Sequence, residues 1–171
     1  MNSVLFIPDG SADWPRLVPV SLMMACLVAL ATAYTAQYVF HIEPCVLCLY
    51  QRVPYAFVSL LTLAAILMPR GSARRVLVGL CIPLLFIGSG IAFYHVGVEQ
   101  HWWVSAAGCG GSLPGVMSVA DLQASLLDKP AVSCDQLNWA LFGISMAAYN
   151  SLAYLVLGFA TLFGLKRMQT R

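Results

Sequence analysis

Four long apolar runs occupy most of this chain of 171 residues. They cover residues 17–40, 46–68, 76–98 and 139–165. A helix needs about 20 mainly apolar residues to cross the hydrocarbon core of a bilayer, where its backbone groups must be satisfied internally. Each run is therefore predicted to be a spanning helix. The predicted fold is an all-α membrane protein, a four-transmembrane-helix bundle that forms a single integral membrane domain over 1–171.

The composition agrees with a membrane protein. Hydrophobic residues make up 60% of the chain and charged residues only 9%, whereas soluble domains carry about 25% charge. The formal net charge of +2 leaves no basic surface for a nucleic acid, so no such partner is predicted. The first run is too long for the core of a signal peptide, and we expect it to be kept as a span.

The basic residues predict the orientation of the bundle. Membrane proteins keep most Lys and Arg of their short loops in the cytoplasm. Here most of the nine basic residues precede the first run, lie between the second and third, or follow the fourth. Both termini are therefore predicted to be cytoplasmic. The loop at about 99–138 then faces the periplasm, where disulfides persist. The basic residues on the cytoplasmic side are Arg16, Arg70, Arg74, Arg75, Lys166, Arg167 and Arg171.

A first cysteine pair stands at the outer end of the second run. Cys45 and Cys48 form a CxxC motif directly after Pro44, which suits a first helical position. A helix N-terminus stabilises a thiolate, and Arg52 would lie one turn below Cys48 on the same face. Two interpretations remain open. The pair is redox-active, or it is a structural bridge with Arg52 reaching the headgroups.

A second cysteine pair lies in the long polar loop. Cys109 and Cys134 are separated by 24 residues, with a short amphipathic helix predicted at 118–127. A bridge between them would be either a structural staple or an exposed, exchangeable disulfide. The glycines around Cys109 favour the second interpretation, because they leave the sulfur open to an incoming chain.

Other polar or reactive residues fall within the apolar runs. Cys26 and Cys81 are predicted to be free and buried, behaving as small hydrophobes. Asn150 is predicted to form hydrogen bonds between helices. His95 has Glu99 four residues later, and it is either a satisfied packing residue or a proton-handling group.

The residues around the first pair carry a family resemblance. Residues 44–52, Pro-Cys-Val-Leu-Cys-Leu-Tyr-Gln-Arg, resemble the signature of the disulfide bond formation protein B (DsbB) family. The stretches 94–100 and 134–139 are similar to that family as well. The resemblance implies an enzyme of the bacterial inner membrane, a quinone-dependent thiol oxidase that works with the membrane quinone pool.

The resemblance also implies roles for the four outer cysteines. Cys109 matches the cysteine that forms a mixed disulfide with a DsbA-like thioredoxin-fold partner, and Cys134 matches its resolving mate. Electrons would then pass to the disulfide of Cys45 and Cys48 by exchange. This order agrees with the chemistry of thiolate attack on a disulfide.

The implied cofactor is ubiquinone or menaquinone. Cys48 and Arg52 match the residues beside the quinone, and His95 is assigned to the same site. A thiolate at Cys48 and the cation at Arg52 would polarise a quinone carbonyl. No metal ligand is predicted.

Three alternatives to this function are considered. The first is a structural four-helix protein with inert disulfides. The second is a metal-binding membrane protein that uses four thiolates, although zinc sites of this type favour two short-spaced pairs and only one is present. The third is a quinone reductase of the vitamin K epoxide reductase type, which is disfavoured because its CxxC motif comes late in the chain.

Overall fold

The computed structural model describes residues 13–105, 133–135 and 140–169. Four of its helices are long and apolar enough to cross a membrane, which confirms the predicted helical spans. The short helix predicted at 118–127, Cys109 and most of the loop at 99–138 lie outside the described residues. The elements are α1 (Trp14–Tyr38), α2 (Val46–Leu67), α3 (Ser72–Glu99), β1 (Ala140–Leu141), β2 (Ile144–Ser145) and α4 (Met146–Gln169).

The start of the fourth helix differs from the prediction. The apolar run suggested a helix from 139, but α4 begins at Met146 and a two-stranded antiparallel hairpin precedes it. Phe142 and Gly143 have φ angles of 51° and 78°, which an α-helix does not accept. The Ser145 hydroxyl then accepts the Ala148 backbone N–H at 3.2 Å and caps the first turn. Within the described residues, the regular structure is thus helical except for this hairpin.

The third helix begins earlier than its apolar run. Ser72 is its first residue, so Arg74 lies inside the helix rather than in a loop. Arg74 is only 5% exposed. Its guanidinium donates to the carbonyls of Pro15 at 3.1 Å and Ile66 at 3.4 Å, and also to that of Met68. Because the last carbonyls of a helix lack intrahelical partners, Arg74 satisfies the end of α2 and ties it to the start of α1.

Two stacked aromatic rings lie in the core of the bundle. The rings of Tyr55 and Tyr154 lie 4.0 Å apart and nearly parallel. Tyr154 lies directly against Gly88 of α3, where an added Cβ would be 2.5 Å from a ring carbon. The same core contains Cys26 and Cys81, both fully buried and free, as predicted. The close approach of α3 and α4 therefore depends on a missing side chain.

We expect Gly88→Ala to destabilise the bundle because the new methyl group overlaps the Tyr154 ring. Overpacking of this kind costs about 1–3 kcal/mol. Unfolding in mixed micelles with increasing SDS, followed by circular dichroism, measures the loss. Gly90→Ala is the matched control, since nothing lies within 4 Å of a Cβ there. Equal stability of the two variants would contradict the predicted overlap.

Candidate functional site

The first cysteine pair stands at the start of α2. Cys45 is the N-cap residue of this helix, with an extended backbone. Its sulfur accepts the backbone N–H of Cys48 at 3.3 Å. The two sulfur atoms lie 2.9 Å apart, so the dithiol needs little backbone movement to form a bridge. A cap position explains this placement, because the first N–H groups of a helix are free to bind an anion.

A histidine from α3 reaches the same sulfur. His95 Nε2 lies 3.5 Å from Cys45 Sγ, and both side chains are buried. A hydrogen bond from the Cys48 thiol lowers the pKa of Cys45 well below the usual value of a thiol, and His95 adds to this effect although burial opposes it. The negative charge is therefore favoured on Cys45. This corrects the expectation of a thiolate at Cys48, because the sequence does not show which sulfur caps the helix.

A chain of hydrogen bonds fixes the orientation of the histidine. The Tyr55 hydroxyl donates to Asn150 Oδ1 at 2.7 Å, and Asn150 Nδ2 donates to Gln51 Oε1 at 2.5 Å. Gln51 Nε2 lies 2.8 Å from His95 Nδ1. Because an amide nitrogen only donates, His95 Nδ1 accepts here and the ring proton resides on Nε2. That N–H points toward Cys45.

The network contains one polar residue that the sequence predicted, Asn150, and one that it did not, Gln51. Asn150 was predicted to bond between helices, and its contacts with α2 confirm that. Gln51 was missed as a site residue, although it is 4% exposed and its backbone carbonyl accepts the Tyr154 hydroxyl at 2.5 Å. The signal was present in the sequence. A polar amide inside an apolar run is a candidate functional residue, as an ionisable residue is.

A cavity of about 440 Å³ opens beside the pair. Cys48, Arg52, His95 and Glu99 line it, whereas Cys45 does not. Much of the remaining wall comes from apolar and small residues of α1 and α4. Ligand sites in proteins have this character, with mostly apolar walls and a few convergent polar groups, and volumes of about 300–1,000 Å³. Those wall residues include Ala29, Leu30, Ala33, Ala36, Met146, Ala147 and Ala153.

Arg52 is held in place by α1. Its Nη1 donates to Gln37 Oε1 at 2.5 Å. The guanidinium carbon lies 5.0 Å from the centroid of the Tyr34 ring, a cation–π distance. The predicted neighbours Cys48 and Arg52 do line one cavity, but the arginine is positioned by contacts that its spacing in the sequence could not reveal.

The described half of the second pair lies near the first. Cys134 is disulfide-bonded and fully buried. It belongs to one cluster with Cys45, Leu47 and Val98, and Cys48 packs against that cluster. The predicted partner Cys109 lies outside the described residues, so the pairing stays a prediction. The structure nonetheless brings Cys134 into the neighbourhood of the CxxC pair.

The same geometry bears on metal binding. Among the described residues, the ligand atoms of Cys45, Cys48 and His95 lie within 4.8 Å of one another. A metal at His95 Nε2 needs the lone pair of that nitrogen. The hydrogen bond from Gln51 leaves the proton there instead. The arrangement therefore fits a hydrogen-bonded dithiol better than a metal centre.

Four helices long and apolar enough to cross a membrane, with a dithiol at one end of the bundle, define a multi-pass membrane protein of thiol–disulfide chemistry. The family model "Disulfide bond formation protein DsbB" matches residues 15–164. The chain belongs to this family. Membership makes it a membrane oxidoreductase that generates disulfides, in agreement with the resemblance noted from its motifs.

Individual relatives agree with the family assignment. The chain is 30% identical over 135 residues to disulfide bond formation protein B of Methylobacillus flagellatus, covering 77% of this chain and 80% of the relative. It is 27% identical over 157 residues to disulfide bond formation protein B 1 of Pseudomonas aeruginosa, covering 90% and 96%. An uncharacterized protein of Rickettsia prowazekii is 30% identical over 142 residues, covering 82% and 81%.

We expect Gln51→Leu to allow both neutral tautomers of His95, because leucine cannot donate a hydrogen bond to Nδ1. Nitrogen NMR of histidine-labelled protein should show the Nε2–H form in the wild type and a mixture of both neutral forms in the variant. A His95→Phe sample assigns the signal. Gln37→Leu is the control, since that amide bonds to Arg52 instead. A wild-type signal from the Nδ1–H form would contradict the proposed hydrogen-bond direction.

Proposed function

We propose that the protein reoxidises a periplasmic thioredoxin-fold dithiol oxidase of the DsbA type and passes the electrons to membrane quinone. The observation that carries this proposal is the dithiol at bridging distance whose Cys48 faces a cavity shared with Arg52. Family membership supports disulfide formation, and the cavity supports a small-molecule electron acceptor. Thiols alone cannot supply oxidising power, so an acceptor is needed.

Electrons would enter through the second pair. A thiolate of the reduced partner attacks the Cys109–Cys134 disulfide, and the partner leaves as a disulfide. The resulting dithiol then reduces the Cys45–Cys48 disulfide by the same exchange. Each exchange moves two electrons and two protons and creates no net disulfide. The position of Cys134 in the cluster of Cys45 supports this order.

The residues of the cavity fit a quinone head group. Such a group is flat and apolar with two carbonyl oxygens, and the wall offers apolar side chains with a cation at Arg52. Glu99 Oε2 is buried and has no hydrogen-bond partner within the described part of the chain, so a polar group of a ligand suits this position. Arg52, Cys48 and His95 would hold the head group. Ubiquinone or menaquinone would supply a two-electron acceptor.

The protein's own contribution is positioning and charge. The cation of Arg52 stabilises negative charge that develops on an acceptor oxygen, and its contacts with Gln37 and Tyr34 set its position beforehand. His95 donates its Nε2–H toward Cys45 and keeps that sulfur anionic. Most of the cavity wall is apolar, and both electrostatic effects are stronger in such surroundings than in water.

The proposed orientation puts the dithiols on the periplasmic side and both termini in the cytoplasm. The distribution of basic residues supports it. Arg70 and Arg74 lie at the end of the bundle opposite the cysteine pair, where Arg70 forms an ion pair with Asp13. Lys166 and Arg167 occupy the last turn of α4.

The first test is oxidation of a reduced thioredoxin-fold partner by the purified protein, with and without ubiquinone. We expect one quinone reduced for each disulfide formed. Replacing any one of Cys45, Cys48, Cys109 and Cys134 by Ser should reduce steady-state turnover to the background, because each disulfide needs both sulfurs. The matched controls, in which Cys26 or Cys81 is replaced by Ala, should keep wild-type turnover. A fully active Cys109→Ser protein would exclude the two-pair relay.

We expect Arg52→Ala to raise the KM for quinone by about 10–100-fold, the size of a lost hydrogen bond to a charged group. Quinone-free exchange with the reduced partner should keep its wild-type rate, since Arg52 lies on the cavity side of the pair. Absorbance of the quinone and quenched-flow trapping of mixed disulfides measure the two steps. Arg75→Ala, at the other end of the bundle, is the control. An unchanged quinone KM would remove Arg52 from the site.

A further inference from the structure

Glu99 is a buried carboxyl group to which the chemistry above gives no step. It is only 8% exposed and lines the cavity. Its Oε1 lies 3.7 Å from His95 Nε2, while Oε2 has no hydrogen-bond partner among the residues that the structure describes. A buried oxygen without a partner is costly, unless it serves a proton or a ligand during the reaction.

His95 stands between two acids and has one N–H for both. Its Nε2 is 3.5 Å from Cys45 Sγ and 3.7 Å from Glu99 Oε1. Two buried anions beside a single donor repel each other, so one of them keeps its proton. When Cys45 is a thiolate, Glu99 is the group that holds the proton. When Cys45 is part of a disulfide, Glu99 is free to be the anion and to accept from His95.

We propose that Glu99 stores the proton of the Cys45 thiol and delivers it into the cavity when the dithiol is oxidised. The proposal deepens the proposed function and rests on it. It makes Glu99 a catalytic acid rather than a structural residue, because the Glu99 side chain lines the cavity that the acceptor would enter. His95 is the positioning residue that couples the charge of Cys45 to that of Glu99.

The step balances in atoms and electrons. The reduced site holds a Cys48 thiol, a Cys45 thiolate and a protonated Glu99. Forming the disulfide releases two electrons, the Cys48 proton and the Glu99 proton, and a membrane quinone takes all four to become the hydroquinone. The oxidised site is left with a Glu99 carboxylate. One negative charge is therefore present before and after the step, first on sulfur and then on oxygen.

Several groups influence the titration of Glu99. His95 is on its own helix, and Cys45 and Cys48 face it from the start of α2. From β2 the Ser145 hydroxyl hydrogen-bonds to its carboxyl. Other charged or titratable residues along the same cavity are Arg52, Tyr55 and Tyr149, and α1 adds none to the described lining.

The chain offers a direct test because it contains only two glutamates, Glu43 and Glu99. In a Glu43→Gln protein, carbon-13 glutamate labels Glu99 alone. We expect the infrared difference between the reduced and oxidised quinone-free protein to show a protonated-carboxyl C=O band in the reduced form. The band should shift with the label and be replaced by a carboxylate band on oxidation. A label-sensitive carboxylate in both forms, or a protonated acid in both, would overturn the proposal.

Kinetics give a second readout. Glu99→Gln should lower quinone-dependent turnover by about 100-fold, within the usual range for general acid–base catalysis. Thiolate ultraviolet absorbance of the reduced, quinone-free protein, with Cys45→Ser as blank, should titrate in two steps in the wild type. The Gln variant should show a single step at lower pH, and Glu99→Asp should restore two. Identical titration curves would show that Glu99 is not coupled to Cys45.

The outcomes separate this proposal from the function on which it rests. If the wild type oxidises its partner with quinone but the Glu99 band does not change, the relay stands and the role of Glu99 fails. If the wild type shows no quinone-dependent turnover, the proposed function fails first. The exposed Glu43 is the matched carboxyl, and Glu43→Gln should keep wild-type turnover.

Discussion

The hydrogen bond between the buried amide of Gln51 and Nδ1 of His95 is the interaction on which the site depends. It decides which ring nitrogen carries the proton, and thereby whether Cys45 meets a donor or a lone pair. In the apolar interior of a bundle, the amide must itself be satisfied, and Asn150 does this from α4. Three helices thus cooperate to determine the charge of one sulfur atom.

The support for this network reaches into the packing core. Tyr55 donates to Asn150, and Tyr154 donates to the backbone carbonyl of Gln51. The same two rings form the stack that lies against Gly88. The packing core and the hydrogen-bond network therefore share the same two tyrosines. A tight fit of α3 against α4 holds the tyrosines, and the tyrosines hold the amides that orient the histidine.

The sequence was sufficient for the parts of the molecule that local chemistry decides. Apolar length predicted the four helices, and the CxxC spacing predicted a dithiol at the start of α2. It could not predict the contacts between residues that lie far apart in the sequence. The role of Gln51 needs α3 as a neighbour, and the charge on Cys45 rather than Cys48 needs cap geometry. The late start of α4 could not be predicted from hydrophobicity. The positive φ of Phe142 prevents a helix there, whereas its apolar side chain continues the hydrophobic run.

Two helices determine the position of the Arg52 side chain. The cation that faces the cavity belongs to α2, but Gln37 and Tyr34 of α1 hold it in position. Helix α1 carries none of the four outer cysteines, and it also lines much of the cavity wall. Changes in α1 can therefore alter the shape and polarity of the cavity without touching the thiols. The shape of the cavity and the chemistry of the sulfur atoms therefore depend on different helices.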